Sequence, residues 1–173
     1  MASFTAVLGL LPPLMLPIIP VPITAQTLGV MLAGSILGAK RGFFSMLIFL
    51  VLTVVGIPTL AGETGGLSAF FLPSAGFLLA WPLGAYVVGL LTEYFWERFN
   101  LLKAVVSNLV GGVFVLYLIG IPWLAVYSHM SFYHAAVACV VFVPGDLIKI
   151  GLAAWTALVI KRSYPMIKQT YTV

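Results

Sequence analysis

The fold of this chain is limited most by its long apolar runs, which proline, glycine and charged residues divide into six segments. They cover residues 2–16, 24–39, 42–56, 76–92, 103–121 and 145–160. Only 7% of the residues are charged, whereas a soluble domain has about 25%. Because one bilayer crossing takes about 20 apolar residues, six crossings occupy most of the chain. A single integral-membrane domain over residues 1–173 is therefore predicted.

The six segments are predicted to be transmembrane helices. They are continuously apolar, whereas the strands of a membrane barrel alternate between apolar and polar residues. The predicted fold class is therefore an all-α membrane bundle of six helices. Several segments are shorter than about 20 residues, so their ends are expected at or below the level of the lipid headgroups.

The distribution of basic residues predicts the orientation of the bundle. With the N- and C-termini in the cytoplasm, all Lys and Arg residues except Lys149 lie on the inner face: Lys40, Arg41, Arg98, Lys103, Lys161, Arg162 and Lys168. This asymmetry follows the positive-inside rule and predicts a multi-pass protein of the prokaryotic cell membrane. The outer connections 12–23, 57–75 and 122–144 are long and apolar, which suggests a site that opens outward. Within the last one, residues 131–143 are expected to form a short interfacial or re-entrant helix.

Three ionisable residues lie away from the cytoplasmic rim and are functional candidates by position: Glu63, Asp146 and Lys149. Asp146 and Lys149 are three residues apart and share one helix face. In one interpretation Asp146 is an N-cap with an intrahelical ion pair to Lys149. In the other, an acidic ligand group binds at this helix end, because a lysine in the first turn opposes the helix dipole. The two interpretations are compatible, since a capping carboxylate still has a free oxygen.

Four further candidates lie at the expected outer ends of helices. Thr24 and Gln26 are polar residues at the mouth of the second segment; helix capping also explains Thr24, while Gln26 requires a hydrogen-bond partner within the membrane. Phe77 and Trp81 could form the wall of an apolar cavity or anchor the bundle at the interface. Glu63 lies in a glycine-rich outer loop and could equally be a solvated charge.

No enzyme signature is found. His129 and His134 lack the companions that a metal site or a catalytic triad needs, so no metal is predicted. Cys139 is the one cysteine, which excludes a disulfide framework. The chain has no phosphate-binding P-loop and so is not itself an ATPase. Its few, scattered cations do not predict nucleic-acid binding. No cofactor is predicted.

Three sequence blocks resemble those of a known family. They are Val-Pro-Ile-Thr-Ala-Gln-Thr-Leu-Gly-Val-Met-Leu-Ala-Gly at 21–34, the glycine-rich stretch 56–66, and Val-Pro-Gly-Asp-Leu-Ile-Lys at 143–149. Together and in this order they resemble the BioY family, the biotin-binding S components of energy-coupling factor (ECF) transporters. The resemblance implies a six-helix S component that captures biotin from outside. It also implies two kinds of partner, a transmembrane coupling subunit and two cytoplasmic ATPases.

The resemblance also implies roles for individual residues. Asp146 would accept hydrogen bonds from the ureido N–H groups, and Lys149 would neutralise the ligand carboxylate or stabilise Asp146. Ala2 and Ala6 fit the Ala-xxx-Ala pattern that meets the coupling subunit in such families, although small-residue faces also pack internally or between copies in a homo-oligomer. Glu63 interrupts the glycines of the outer loop, and we hypothesise that it supplies a ligand contact. The alternatives are an S component for another small vitamin and a structural or assembly membrane protein.

Overall fold

The computed structural model of the protein describes residues 1–16, 19–163 and 167. Within them the chain forms a helical bundle with one β-hairpin. The elements are α1 (Ala2–Leu8), β1 (Leu14–Leu16), β2 (Ile19–Ile23), α2 (Gln26–Leu37), α3 (Ala39–Val54), α4 (Ala75–Tyr94), α5 (Leu101–Leu109), α6 (Val115–Tyr127), α7 (Phe132–Cys139) and α8 (Val143–Ser163). Lys168, predicted to lie on the inner face, is outside the described residues.

The bundle is built around α4, which packs against α2, α3 and α6, while α2 also packs against α8. Its largest core cluster joins apolar side chains of α2, α3, α4 and α6, among them Val30, Phe49, Trp81 and Leu116. Large apolar side chains also cover much of the outer surface, as expected where lipid replaces water. Three helical stretches are long and apolar enough to cross a membrane: Ala75–Tyr94, Leu101–Tyr127 and Phe132–Ser163. The predicted helical membrane fold is confirmed.

Two of these stretches contain an irregular turn that joins consecutive helices. A π-helical turn at Val110–Phe114 connects α5 to α6, and a 3-10 turn at Val140–Phe142 connects α7 to α8. The short helix predicted within 131–143 is present as α7. The prediction of an outer connection over residues 122–144 is wrong, because α6 continues through Pro122 to Tyr127. In an apolar environment the helix keeps its remaining backbone hydrogen bonds, so one missing proline N–H does not end it.

The first segment also differs from its prediction as a helix over residues 2–16. Helix α1 ends at Leu8, and the chain then forms an antiparallel hairpin in which Leu14 pairs with Ile23. Pro12 and Pro13 lack the N–H groups that would continue the helix. Prolines also alternate along β2, whose pairing residues Ile19 and Ile23 keep their donors. Proline thus converts an apolar run into a hairpin.

Helices α2 and α4 approach closely because glycine lies at their contact. A Cβ atom built at Gly34 of α2 would lie 2.5 Å from the Ala85 carbonyl oxygen and 2.9 Å from the Gly89 backbone nitrogen, both in α4. Small residues at such positions let membrane helices pack backbone to backbone. The close contact fixes α2 against α4, and both helices contribute residues to the cavity described below.

The two ends of the bundle differ in character. At one end, Glu93 near the end of α4 accepts a hydrogen bond from the Ala39 N–H at the start of α3 (2.8 Å), and Lys161 in α8 contacts Trp96. Lys40 and Arg41 in the first turn of α3, and Arg98 between α4 and α5, lie at this same end. The other end holds the hairpin, the connection 55–74 and the first turns of α2, α4 and α8. A cavity opens at this second end.

Candidate functional site

A cavity of about 310 Å³ lies among the first turns of α2, α4, α6 and α8, the hairpin and the connection 55–74. Its wall is mainly apolar. Six of the seven predicted ligand-binding residues line it: Thr24, Gln26, Phe77, Trp81, Asp146 and Lys149. The structure thus brings together residues that are up to 125 positions apart in sequence, from Thr24 to Lys149.

Asp146 is the most buried charged residue of this wall, with 6% of its surface exposed. Its Oδ2 accepts a hydrogen bond from the Tyr117 hydroxyl at 2.6 Å, and its Oδ1 accepts one from Lys149 Nζ at 3.1 Å. Helix α8 begins at Val143, so Asp146 lies within the first turn and is not the N-cap. The capping interpretation is therefore wrong, while the intrahelical ion pair is confirmed.

Lys149 connects α8 to α2. Its ammonium donates to the Thr27 hydroxyl at 2.9 Å in addition to Asp146. An ammonium has three N–H donors, so these two partners leave one for another acceptor. Asp146 and Lys149 form an ion pair. The pair has no net charge, and an unpaired charge in such an apolar wall would be costly.

Gln26 joins three parts of the cavity end of the bundle. Its side chain is 1% exposed; Nε2 donates to the carbonyl oxygens of Thr5 (3.1 Å) and Thr59 (2.8 Å). Its Oε1 accepts from the Ala61 N–H at 3.0 Å. The hydrogen-bond partner required by Gln26 is thus backbone of α1 and of the connection 55–74. Since both amide donors are used in this way, the residue holds one wall of the cavity in place.

Thr24 is half-buried and lies in the cavity wall just before α2. The capping role considered for it is wrong, since Ala25 is the N-cap of α2 and no side chain caps this end among the described residues. Its hydroxyl is therefore not used to cap α2.

Aromatic side chains form another part of the wall. Phe77 contacts Tyr117 and Phe142 edge to face, with ring centroids 6.1 and 6.2 Å apart. Trp81 packs on Phe49 at 5.3 Å, and its indole Nε1 is buried with no hydrogen-bond partner among the described residues. These rings offer an apolar surface of the size that a small fused-ring ligand needs.

The structure does not place Glu63 in the wall of this cavity, although its neighbours Ala61 and Thr64 line it. Glu63 is exposed and has a backbone φ of 57°, a left-handed conformation that glycine adopts without strain. Its role as a ligand contact stays a prediction.

Ala2 and Ala6 lie apart from the cavity, on α1. Both are half-buried and pack partly against the core cluster of α2, α3 and α4. Their internal packing is therefore seen, and their predicted contact with a coupling subunit is untested.

Among the lining residues that were not predicted, three contact predicted ones directly: Thr27, Tyr117 and Phe142. A signal for Tyr117 was present, because a tyrosine hydroxyl within an apolar helix requires a hydrogen-bond partner. Its acceptor could not be identified without the packing of α6 against α8. The described residues contain no group of His, Cys, Asp and Glu that could hold a metal ion.

Comparisons with known proteins agree on one family. Residues 1–166 match the model of the BioY family. The chain is 44% identical to the biotin transporter BioY of Rhizobium etli, over 96% of this chain and 91% of the relative. It is 38% identical to the biotin transporter BioY of Rhodobacter capsulatus, over 84% and 81% of the two chains. The crystal structure of the S-component for biotin from an ECF-type ABC transporter superimposes with a TM-score of 0.89 at 32% identity, covering 93% of this chain and 86% of that one.

Proposed function

The chain belongs to the BioY family, and from this membership and the cavity we propose that it is the biotin-capturing subunit of a vitamin importer. The observation that carries the proposal is a neutral acid–base pair, Asp146 and Lys149, at the wall of an apolar cavity. The relatives named above are biotin transporters, and the solved structure is the S-component for biotin.

The chemistry of the cavity suits this ligand. Biotin has a ureido ring with two N–H donors, an apolar thioether ring and a chain that ends in a carboxylate. Asp146 has acceptor capacity beyond its bonds to Tyr117 and Lys149, since a carboxylate has about four lone-pair sites. The remaining N–H of Lys149 can meet the ligand carboxylate, and Phe77 and Trp81 can cover the rings. Charge-assisted hydrogen bonds in such a dry site are about twice as strong as neutral ones.

The proposed orientation has six membrane crossings, both termini in the cytoplasm and the cavity facing outward. It is supported by the charge asymmetry, since Lys149 is at the cavity end and Lys40, Arg98 and Lys161 are at the opposite end. Helices α1 and α2 are short for a crossing at 1.5 Å per residue. Their outer ends therefore meet the hairpin and the connection 55–74 within the bilayer.

The protein is proposed to act without catalysis of its own in the cell membrane, together with an ECF coupling subunit and two ATPases. Ala2 and Ala6 are the proposed contacts with the coupling subunit. Their half-exposed surface on α1 leaves room for a close helix contact.

Binding of labelled biotin to the purified protein tests the proposal. Asp146→Asn and Lys149→Ala are expected to lose affinity by at least tenfold, because each leaves a buried partner unpaired. Tyr127→Phe, on the exposed side of α6, is the matched control. Saturating biotin should stabilise the wild type by about 4 kcal/mol at a thousandfold excess over Kd.

Competition with thiamine and riboflavin distinguishes biotin from other vitamins. Displacement of labelled biotin by either vitamin at equal concentration would point to a different S component. If none of the three vitamins raises the melting temperature, the result would instead support the alternative of a structural or assembly membrane protein.

A further inference from the structure

The end of the bundle opposite the cavity carries a cluster of aromatic rings and lysines that the transport site does not use. We call it the aromatic–lysine cluster and define it as Phe95, Trp96, Phe99, Lys103 and Lys161. It joins the end of α4, the start of α5 and the end of α8.

Both lysines of the cluster lie over its aromatic rings. Lys161 Nζ is 4.9 Å from the centroid of the Trp96 ring and 5.7 Å from that of Phe99. Lys103 Nζ is 5.3 Å from the centroid of Phe95. Cation–π contacts hold an ammonium group in position without neutralising its charge.

The positive charge of the cluster is not neutralised by a carboxylate. Within the described part of the chain, neither lysine forms an ion pair, although Glu97 lies in the same connection. Lys161 donates one hydrogen bond to the Trp96 carbonyl oxygen. An ammonium has three donors, so both lysines retain N–H groups for an anion, and both side chains are half-exposed.

The surface beside the cluster is apolar. On α5, Leu101 and Leu102 are 53% and 71% exposed, and Leu109 two turns further on is 43% exposed. On α8, Val159 and Trp155 are 44% and 65% exposed. These helices pack against each other and belong to stretches long enough to cross a membrane. The two ammonium groups therefore lie at the end of an exposed apolar surface.

We propose that the aromatic–lysine cluster binds the headgroup of an anionic phospholipid, whose acyl chains lie along the exposed faces of α5 and α8. A lipid of this class carries a phosphate for the two ammonium groups and hydrocarbon for the leucines. A free phosphate ion or an acidic peptide offers the anion alone. Basic clusters at helix ends that also border the membrane are typical of anionic lipid sites.

Thermal unfolding of the purified full chain in detergent tests this site. The probes are short-chain phosphatidylglycerol, phosphatidylcholine of the same chain length, and inorganic phosphate. Phosphatidylglycerol is expected to raise the melting temperature at lower concentration than phosphatidylcholine, and phosphate is expected to leave it unchanged. Lys103→Gln and Lys161→Gln should each raise the half-maximal phosphatidylglycerol concentration about fivefold.

Lys40→Gln is the matched control, because Lys40 is an exposed lysine at the same end of the bundle. It should leave the phosphatidylglycerol response unchanged. The proposal would be overturned if phosphatidylcholine raised the melting temperature equally. It would also be overturned if the variant carrying both Lys103→Gln and Lys161→Gln kept the wild-type response to phosphatidylglycerol. A full response to inorganic phosphate would likewise overturn it in favour of a free-anion site.

Native mass spectrometry of the wild type provides a readout that does not depend on how the variants fold. From an equimolar lipid mixture the protein should retain phosphatidylglycerol in preference to phosphatidylcholine. Retention in proportion to the mixture would contradict the proposed site.

Discussion

At the scale of single residues, the site depends on a chain of contacts that runs from Tyr117 through Asp146 and Lys149 to Thr27. It ties together α6, α8 and α2. The spacing of Asp146 and Lys149 was readable in the sequence because the two lie on one helix. Tyr117 and Thr27 were not, because their contacts require the tertiary packing of three helices.

Removing the Tyr117 hydroxyl tests this chain of contacts. Tyr117→Phe should lower the unfolding free energy by about 1 to 3 kcal/mol, because a hydrogen bond to a charged, buried carboxylate is lost. It should also weaken biotin binding, since Asp146 loses the group that positions it. Calorimetry and biotin titration measure the two effects. Tyr127→Phe should change neither value, and equal losses in both variants would argue against a specific role for Tyr117.

Glu63 combines an untested ligand role with an unfavourable backbone conformation. Glu63→Gly should raise the unfolding free energy by about 1 kcal/mol, because glycine adopts a φ of 57° freely. Glu63→Ala should give no such gain. If Glu63 contacts biotin, both variants lose affinity to the same extent, and full affinity in Glu63→Ala would dismiss the hypothesis.

At the scale of the elements, the apolar runs predicted which parts of the chain are helical better than where the helices end. The run over residues 2–16 is as apolar as the others, yet Pro12 and Pro13 end the helix and a hairpin follows. Pro122, by contrast, lies inside α6 without ending it. Helix α6 packs against α4 and α7, and hydropathy carries no information about such packing.

The close contact between α2 and α4 gives a prediction about glycine. Gly34→Ala should destabilise the protein by about 1 to 3 kcal/mol, because the new Cβ would overlap the Ala85 carbonyl oxygen. Gly151→Ala is the matched control on α8, where nothing lies within 4 Å of the added atom. Because alanine favours helices, this control should be neutral or stabilise by up to about 1 kcal/mol. Thermal unfolding in detergent measures both, and equal effects would contradict the packing argument.

At the scale of the whole molecule, the placement of the cavity at one end and of most described basic residues at the other makes the orientation testable. Cys139 is the only cysteine in the sequence and is 1% exposed, so the wild type should react little with a membrane-impermeant maleimide. Ser131→Cys at the cavity end should be labelled in intact cells. Ser163→Cys at the end of α8 should be labelled only after the membrane is permeabilised. The reverse pattern would show the opposite orientation.

Asp146 and Lys149 pair with each other, and this bears on how the ligand is released. When a carboxylate ligand departs, each of these side chains still has a partner of opposite charge or a hydroxyl beside it. If this pair binds the ligand carboxylate as proposed, release of the ligand leaves no unpaired ion in the apolar cavity, so the ligand-free protein needs no counter-ion there.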